Sequence, residues 1–439
     1  MLLGCHRLRN CACIIRNFSV VNCRSKRLLH VQRQSHLIKS KQPFSRTNVS
    51  TKEILPERDF KLERVILMRK VTRYEYERQL IQPDSEEELK NYLISKGSDY
   101  DSLLERHTEY FSTLESIQAM LQKHNIEFKT VKRFDCDTDL IKWADAIFTA
   151  GGDGMFLMAS SKVKGHDLPV IGINTDPIRS EGRLCLSKQY SIDFDGALDR
   201  IINGEFRWIW RKRIRLTMSG KYTRVDPVDL QRQCLLYPEM RFMEHVKENE
   251  VYNHVSEVLE EKPSHILPIC ALNEVFIGES LSARVSFYEV SIDGSERVRQ
   301  KSSGITTSTG TGSTSWFFNI NHIPKENVSQ ILSTAKRLGN WGVDVTDDKL
   351  LQEVTDAFNY SLKFDPEDGR MAYTVRDPIA AGIFRVPQPK GFCQTMNIKS
   401  RMWDGWLVID GGVSFQFNDG AVVELSMHDE DALCGVAID

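Results

Sequence analysis

Four short stretches of this chain gather carboxylate, amide or hydroxyl side chains, three of them with glycine. The first is Gly151-Gly152-Asp153-Gly154, directly after the apolar run Ala146–Ala150 and before Met155-Phe156-Leu157-Met158. Its glycines let the backbone approach a ligand and leave N–H groups unobstructed where a helix starts, a place that favours phosphate. Asp153, held in that loop, would sit where a phosphoryl group and a hydroxyl meet, ready to accept the proton of an attacking alcohol. A tight Asp-Gly turn without any ligand carries the same four letters.

The second stretch is Gly304 to Trp316, GITTSTGTGSTSW, in which three glycines alternate with eight Ser or Thr. Backbone N–H groups and hydroxyls together make a dense, neutral cradle for phosphate or ribose. No Lys follows its last glycine, which excludes a Walker A loop, and Lys301 just upstream is the cation on offer instead. A Ser/Gly linker is the alternative, although linkers continue polar and this segment is flanked by apolar and aromatic residues. The third stretch, Asn273-Glu274, places an amide next to a carboxylate, a pair that can hold the two hydroxyls of a ribose or simply form a turn. The fourth, Gly172 to Asp176 followed by Pro177, ends an apolar run; Asn174 either points into the same crevice or caps a turn.

These stretches need elements to hold them. Strands are expected at Glu63–Thr72, Ile126–Val131, Ala146–Ala150 and Pro169–Ile173. Between them Asp101–His124 reads as a long amphipathic helix with Leu103, Leu104, His107, Phe111, Leu114, Ile117 and Leu121 on one stripe. A short helix at Asp195–Asn203, ended by Gly204, closes this part. Strand–helix alternation predicts an open, mostly parallel α/β domain over 60–205, with ligands at the carboxyl ends of its strands. From 206 to 439 the pattern changes to an antiparallel β domain. It has one strand over Arg207–Met218, paired strands over 271–300 around Asp293-Gly294, and more strands over 392–425 with turns at Asp404-Gly405, Asp410-Gly411-Gly412 and Asp419-Gly420. Insertions carrying some helix are expected near 219–265 and 321–355.

The net charge of −2 hides an asymmetry. Residues 1–52 hold eleven Lys or Arg and no Asp or Glu, so the remainder carries −2 − 11 = −13. An acidic body excludes a nucleic-acid binder, whose affinity comes mainly from cations facing phosphates. The Arg-rich, Ser-seeded, acid-free head has the composition of a mitochondrial transit peptide, which predicts the matrix; a disordered basic tail is the alternative. No run of 18 apolar residues exists to span a membrane. The six cysteines beyond the head, at 136, 185, 234, 270, 393 and 434, lack CxxC spacing and read as free thiols.

Taken in order, Gly151–Gly154, Asn273-Glu274 and Ser308–Trp316 resemble the NAD kinase family, with its GGDG loop, Asn-Glu or Asn-Asp pair and STxTGSTAY-like segment. Asn174–Leu186, Asp410–Gly420 and the basic head look like the animal mitochondrial members of that family. The resemblance covers about residues 60–439. It implies the NAD kinase/diacylglycerol kinase-like two-domain fold, a homodimer, and transfer of the ATP γ-phosphoryl to the adenosine-ribose 2′-hydroxyl of NAD, with Mg²⁺ on the nucleotide and no protein ligand for it evident. It further implies that Asp153 is catalytic and that Gly151, Gly152 and Gly154 line the phosphates. Asn273, Glu274, Thr311, Thr314, Ser315 and Trp316 would bind the dinucleotide. Ser303 stands where many members have Asp, and Trp316 where Tyr is usual. Two rivals share features: a lipid kinase of the diacylglycerol or sphingosine type, whose apolar site the hydroxyl-rich segment disfavours, and a non-catalytic NADP(H)-binding sensor, which has no need of Asp153.

Overall fold

A computed structural model describes residues 60–221, 226–230, 232–233, 262–339, 344–380 and 388–438. The head expected at 1–52 and most of the insertion expected at 219–265 lie outside these residues. Strands β1 (Arg64–Arg69), β2 (Glu127–Val131), β3 (Ala146–Ala150) and β4 (Val170–Ile173) form a wholly parallel sheet in the order β2-β1-β3-β4. Helices α1 (Arg73–Ile81), α2 (Glu86–Ser95), α3 (Tyr100–Lys123), α4 (Thr138–Trp143), α5 (Asp153–Ser160), α6 (Lys188–Ile192) and α7 (Phe194–Ile202) accompany it. Successive residues of β1 go to opposite faces. Val65 and Leu67 pack with Leu114, Ile117 and Leu121 of α3 and Leu198 of α7, while Ile66 and Met68 pack with Met155 and Phe156 of α5. Both faces are therefore covered, as a parallel sheet requires.

The α3 stripe differs in detail from expectation: Tyr110, Leu114, Ile117 and Leu121 are buried, and Leu103, Leu104 and Phe111 only half-buried. The first strand is shorter than expected because Thr72 caps α1. Its hydroxyl accepts from Glu75 N while the Glu75 carboxylate accepts from Thr72 N, and this reciprocal cap starts a helix where a strand end was expected.

The later strands are β5 (Arg207–Arg211), β6 (Ile214–Gly220), β7 (Val228–Asp229), β8 (Lys262–Ile266), β9 (Glu274–Glu279), β10 (Ser286–Ile292), β11 (Val298–Ser302), β12 (Ile305–Ser308), β13 (Met371–Val375), β14 (Lys390–Cys393), β15 (Thr395–Ser400), β16 (Gly405–Ile409), β17 (Val413–Gln416), β18 (Ala421–Met427) and β19 (Leu433–Ala437). Two antiparallel sheets, β11-β10-β15-β18-β6-β8 and β14-β13-β12-β9-β16-β17-β7, enclose one core. Leu216, Met218, Val423 and Leu425 of the first sheet meet Val275, Ile277, Leu407 and Ile409 of the second there. The hairpin expected at Asp293-Gly294 joins β10 to β11, with φ values of 48° and 74° at the turn. The region expected as an insertion at 321–355 holds α9 (Lys325–Gly339) and most of α10 (Asp348–Ser361), preceded by the short α8 (Trp316–Asn321).

The single strand expected over Arg207–Met218 is two. Lys212 N donates to Pro366 O, and the chain changes sheets there: β5 pairs with the last strand β19, and β6 with β18 and β8. Strand β19 packs against β4, and Ile438 enters the core beneath α3 and α7.

Candidate active site

Strands β1, β3 and β4 end side by side, at Arg69, Ala150 and Ile173, and the first and fourth stretches leave from these carboxyl ends. Gly151 N donates to Ile173 O (3.0 Å), fastening the turn to the end of β4. The Tyr110 hydroxyl donates to Ala150 O (3.1 Å) and accepts from Lys70 N (2.9 Å), tying the ends of β1 and β3 together from α3. Gly152 is the N-cap of α5 and Asp153 its first residue. The Asp153 carboxylate accepts from Arg183 N (3.2 Å) and Leu184 N (2.8 Å), so it is oriented by the loop after β4. A Cβ added at Gly154 would meet nothing within 4 Å, leaving the first turn of α5 open on that side.

Asn174 is buried and acts as the turn-holding residue of that loop. Its amide donates to Ser180 O (3.0 Å) and accepts from Asp176 N (3.1 Å), which uses the side chain inside the loop that presents Arg183 and Leu184. The Arg183 guanidinium crosses to the second stretch, donating to Thr314 O (3.0 Å). From β5, Arg211 reaches Thr311 Oγ1 (3.5 Å), and the charge of Asp153 acts on it. Lys70 runs beside the Gly151 turn, with its ammonium over the Tyr110 ring and burial pulling its pKa below the usual lysine value. Lys301 lies on β11 with its ammonium 5.7 Å from the centre of the Phe287 ring. The bonds linking the other stretches do not run through it.

The Gly304–Trp316 segment is no linker. Ile305–Ser308 is an interior strand paired with β9 and β13, and Thr309, Thr311 and Ser313 are buried. Three of its hydroxyls hold the loop itself: Ser308 and Thr309 donate to Asn273 O and Leu272 O, and Ser313 donates to Gly310 O. Thr309 N also donates to Asn273 O (2.9 Å), so the second and third stretches are locked together. The Asn273 amide then donates to Ser315 Oγ (3.2 Å). Trp316 is partly exposed, edge-on to Phe276 at 5.4 Å, with the Arg376 guanidinium over both rings.

Asn273 Oδ1 and Glu274 Oε2 are both buried and have no protein partner among the described residues. Such an acceptor costs about 1–3 kcal/mol unless a donor arrives, and two of them on successive residues suit a ligand that brings hydroxyl donors. Burial pushes the Glu274 carboxyl up to about 8, and the neighbouring charge of Asp410 acts in the same direction.

The structure thus brings together Asp153, the three glycines, Asn273, Glu274, Thr311, Thr314 and Ser315. Sequence reasoning missed Arg183, Arg211, Lys70 and Asp410. Arg183 and Asp410 lay inside stretches that carry the family resemblance, Asn174–Leu186 and Asp410–Gly420, but neither was singled out as a site residue, and Arg211 and Lys70 carry no local pattern that points to a site.

Residues 100–206 match the family described as the ATP-NAD kinase N-terminal domain. The chain is 42% identical over 398 residues to a Xenopus tropicalis protein named NAD kinase 2, mitochondrial, covering 87% of this chain and 92% of that one. It is 42% identical over 382 residues to the Homo sapiens protein of the same name, covering 87% and 85%. Among solved structures it is similar to yeast NADH kinase complexed with NADH, with 14% identity, a TM-score of 0.46, and 86% and 84% of the chains covered.

Proposed function

The chain belongs to the NAD kinase family as an ATP-dependent kinase of NAD, and on that premise we propose how its residues divide the reaction. The γ-phosphoryl of ATP passes to the adenosine-ribose 2′-hydroxyl of NAD. Asp153 accepts the proton of that hydroxyl. The N–H groups of Gly152 and Gly154 line the phosphates, with Gly151 fastening their turn to the end of β4, and Arg183 and Arg211, not Lys301 on β11, supply positive charge to them. Asn273 and Glu274 take ribose hydroxyls, with Thr311, Thr314, Ser315 and Trp316 completing the dinucleotide site and Asn174 holding the loop that aims Asp153. The observation that carries this reading is the unbroken link from Asp153 through Arg183 to Thr314, Ser315 and Asn273. Phosphoryl transfer depends on positioning and charge neutralisation more than on a strong base.

Mg²⁺ enters with the substrate as MgATP. Among the described residues the one group of three His, Cys, Asp or Glu side chains close enough to share a metal is His124, Asp195 and Asp199. It lies 14 residues along α3 from Tyr110, about 21 Å at 1.5 Å per residue. Bound with the nucleotide, the ion would neutralise phosphate charge as the γ-phosphoryl is transferred.

Asp153→Asn is expected to lower kcat by roughly 10²–10⁴ with smaller changes in KM. A coupled assay with an NADP-specific dehydrogenase, following NADPH absorbance, reads this directly; kcat within threefold of wild type would remove Asp153 from the role. The relatives' names and the acid-free basic head support a mitochondrial location, and we place the protein in the matrix. Fusing residues 1–52 to a fluorescent reporter, followed by protease protection after outer-membrane rupture, tests that placement. No helix among the described residues is long and apolar enough to cross a membrane. A homodimer is proposed from the family and is tested by sedimentation equilibrium.

A further inference from the structure

Asp410 opens the turn between β16 and β17 with a left-handed φ of 49°, a backbone that Asp, Asn and Gly tolerate better than other residues. Its own N–H donates to Glu274 O (3.0 Å). Its carboxylate accepts from three successive backbone N–H groups: Leu272 at 2.8 Å on one oxygen, Asn273 at 2.7 Å and Glu274 at 3.0 Å on the other. In an extended strand consecutive N–H groups point to opposite sides, so three converging on one carboxylate mark a backbone bent around it. That bend lies where the chain enters β9, and it contains the two residues whose buried oxygens, Asn273 Oδ1 and Glu274 Oε2, have no protein partner among the described residues. From the other side, Thr309 N and the Ser308 hydroxyl hold Asn273 O.

We infer that Asp410 is a positioning residue for the dinucleotide: its carboxylate sets the backbone from which Asn273 and Glu274 present their oxygens to the ribose hydroxyls. This rests on the proposed reading of the Asn273–Glu274 pair. A carboxylate that served only the β16–β17 turn would bond within that turn. Here all three of its bonds go to a segment 136 to 138 residues away in sequence.

The test uses the full chain carrying Asp410→Asn or Asp410→Gly. Both substitutions accept the left-handed backbone, so the turn survives and only the acceptors change. Asn keeps one acceptor oxygen, whereas Gly keeps none. KM for NAD is expected to rise at least tenfold in the Gly variant and less in the Asn variant, with KM for ATP within twofold of wild type. NAD binding by calorimetry should weaken in the same order. A merely structural role would raise both KM values together, or lower the melting temperature while leaving the NAD KM alone; either result overturns the inference. Asn273→Ala and Glu274→Ala are measured alongside. If they leave the NAD KM unchanged, the reading of the pair fails and takes the inference with it. If they raise it while the Asp410 variants stay within twofold, the inference alone fails.

Discussion

Glu274 is an acid whose folded-state pKa, pushed up to about 8 by burial and then by Asp410, lies above the 4.5 of the unfolded chain. Asp410 shifts the same way, to about 6, because desolvation outweighs its three backbone donors. For a raised acid the folded state binds more protons than the unfolded one between the two pKa values. The stabilisation is therefore complete below the unfolded pKa and is lost as pH rises through about 8 for Glu274. Melting temperatures of the ligand-free protein should fall from about pH 5 to pH 8 and then level off, and Glu274→Gln should flatten that fall. An unchanged slope would mean that Glu274 is ionised at neutral pH. Asp153, Asn273 and Glu274 were legible through the order of the three motifs together, since an Asp-Gly or Asn-Glu pair alone is as readily a turn. Asp410 was not legible as a site residue, since its chemistry consists of contacts with a segment more than 130 residues distant.

At the scale of elements, the glycines of the two loops divide into two kinds. A Cβ at Gly310 would lie 1.8 Å from Asp365 O, and one at Gly312 would lie 2.1 Å from Asn273 O; these glycines let backbones pass each other. Gly154, in the first turn of α5, faces open space. Gly310→Ala should therefore destabilise the fold by roughly 1–3 kcal/mol, as overpacking does. Gly154→Ala should hold or raise stability by up to ~1 kcal/mol, since alanine favours helix, yet raise KM for ATP because a methyl group then occupies the path of the phosphates. Urea unfolding and ATP titration of the two variants separate the cases, and an unchanged KM for ATP in Gly154→Ala would argue that no phosphate approaches there. Elements were most legible where composition left one option. Ala146–Ala150 matches the expected strand end to end because both of its faces are buried. The continuous strand expected over Arg207–Met218 failed because alternation persists across Lys212-Arg213 while the hydrogen-bonding partner changes.

For the whole molecule, that same break puts a buried cation at the junction of the α/β layer and the β sheets. Arg213, just before β6, donates to Ser160 O (3.2 Å), Val163 O (2.8 Å) and Gly165 O (3.0 Å) at the exit of α5, and to Asp431 O before β19. One side chain thus satisfies four backbone carbonyls from two distant parts of the chain, a convergence that no local pattern announces. Removing it leaves buried acceptors unpaired, at about 1–3 kcal/mol for each that water does not reach. Arg213→Ala should therefore cost about 3 kcal/mol or more, and Arg213→Lys, which can serve only some of the carbonyls, should cost less. Helix α5 begins at Asp153 and ends at Ser160, so loosening its exit also loosens the Gly151–Gly154 turn proposed to hold the catalytic carboxylate. The Ala variant should lose kcat more steeply than wild type as temperature rises towards its melting point. Urea unfolding followed by tryptophan fluorescence measures the first effect, and temperature-dependent turnover the second. A loss below about 1 kcal/mol would show that water takes over the carbonyls and that the sheets hold α5 without this residue.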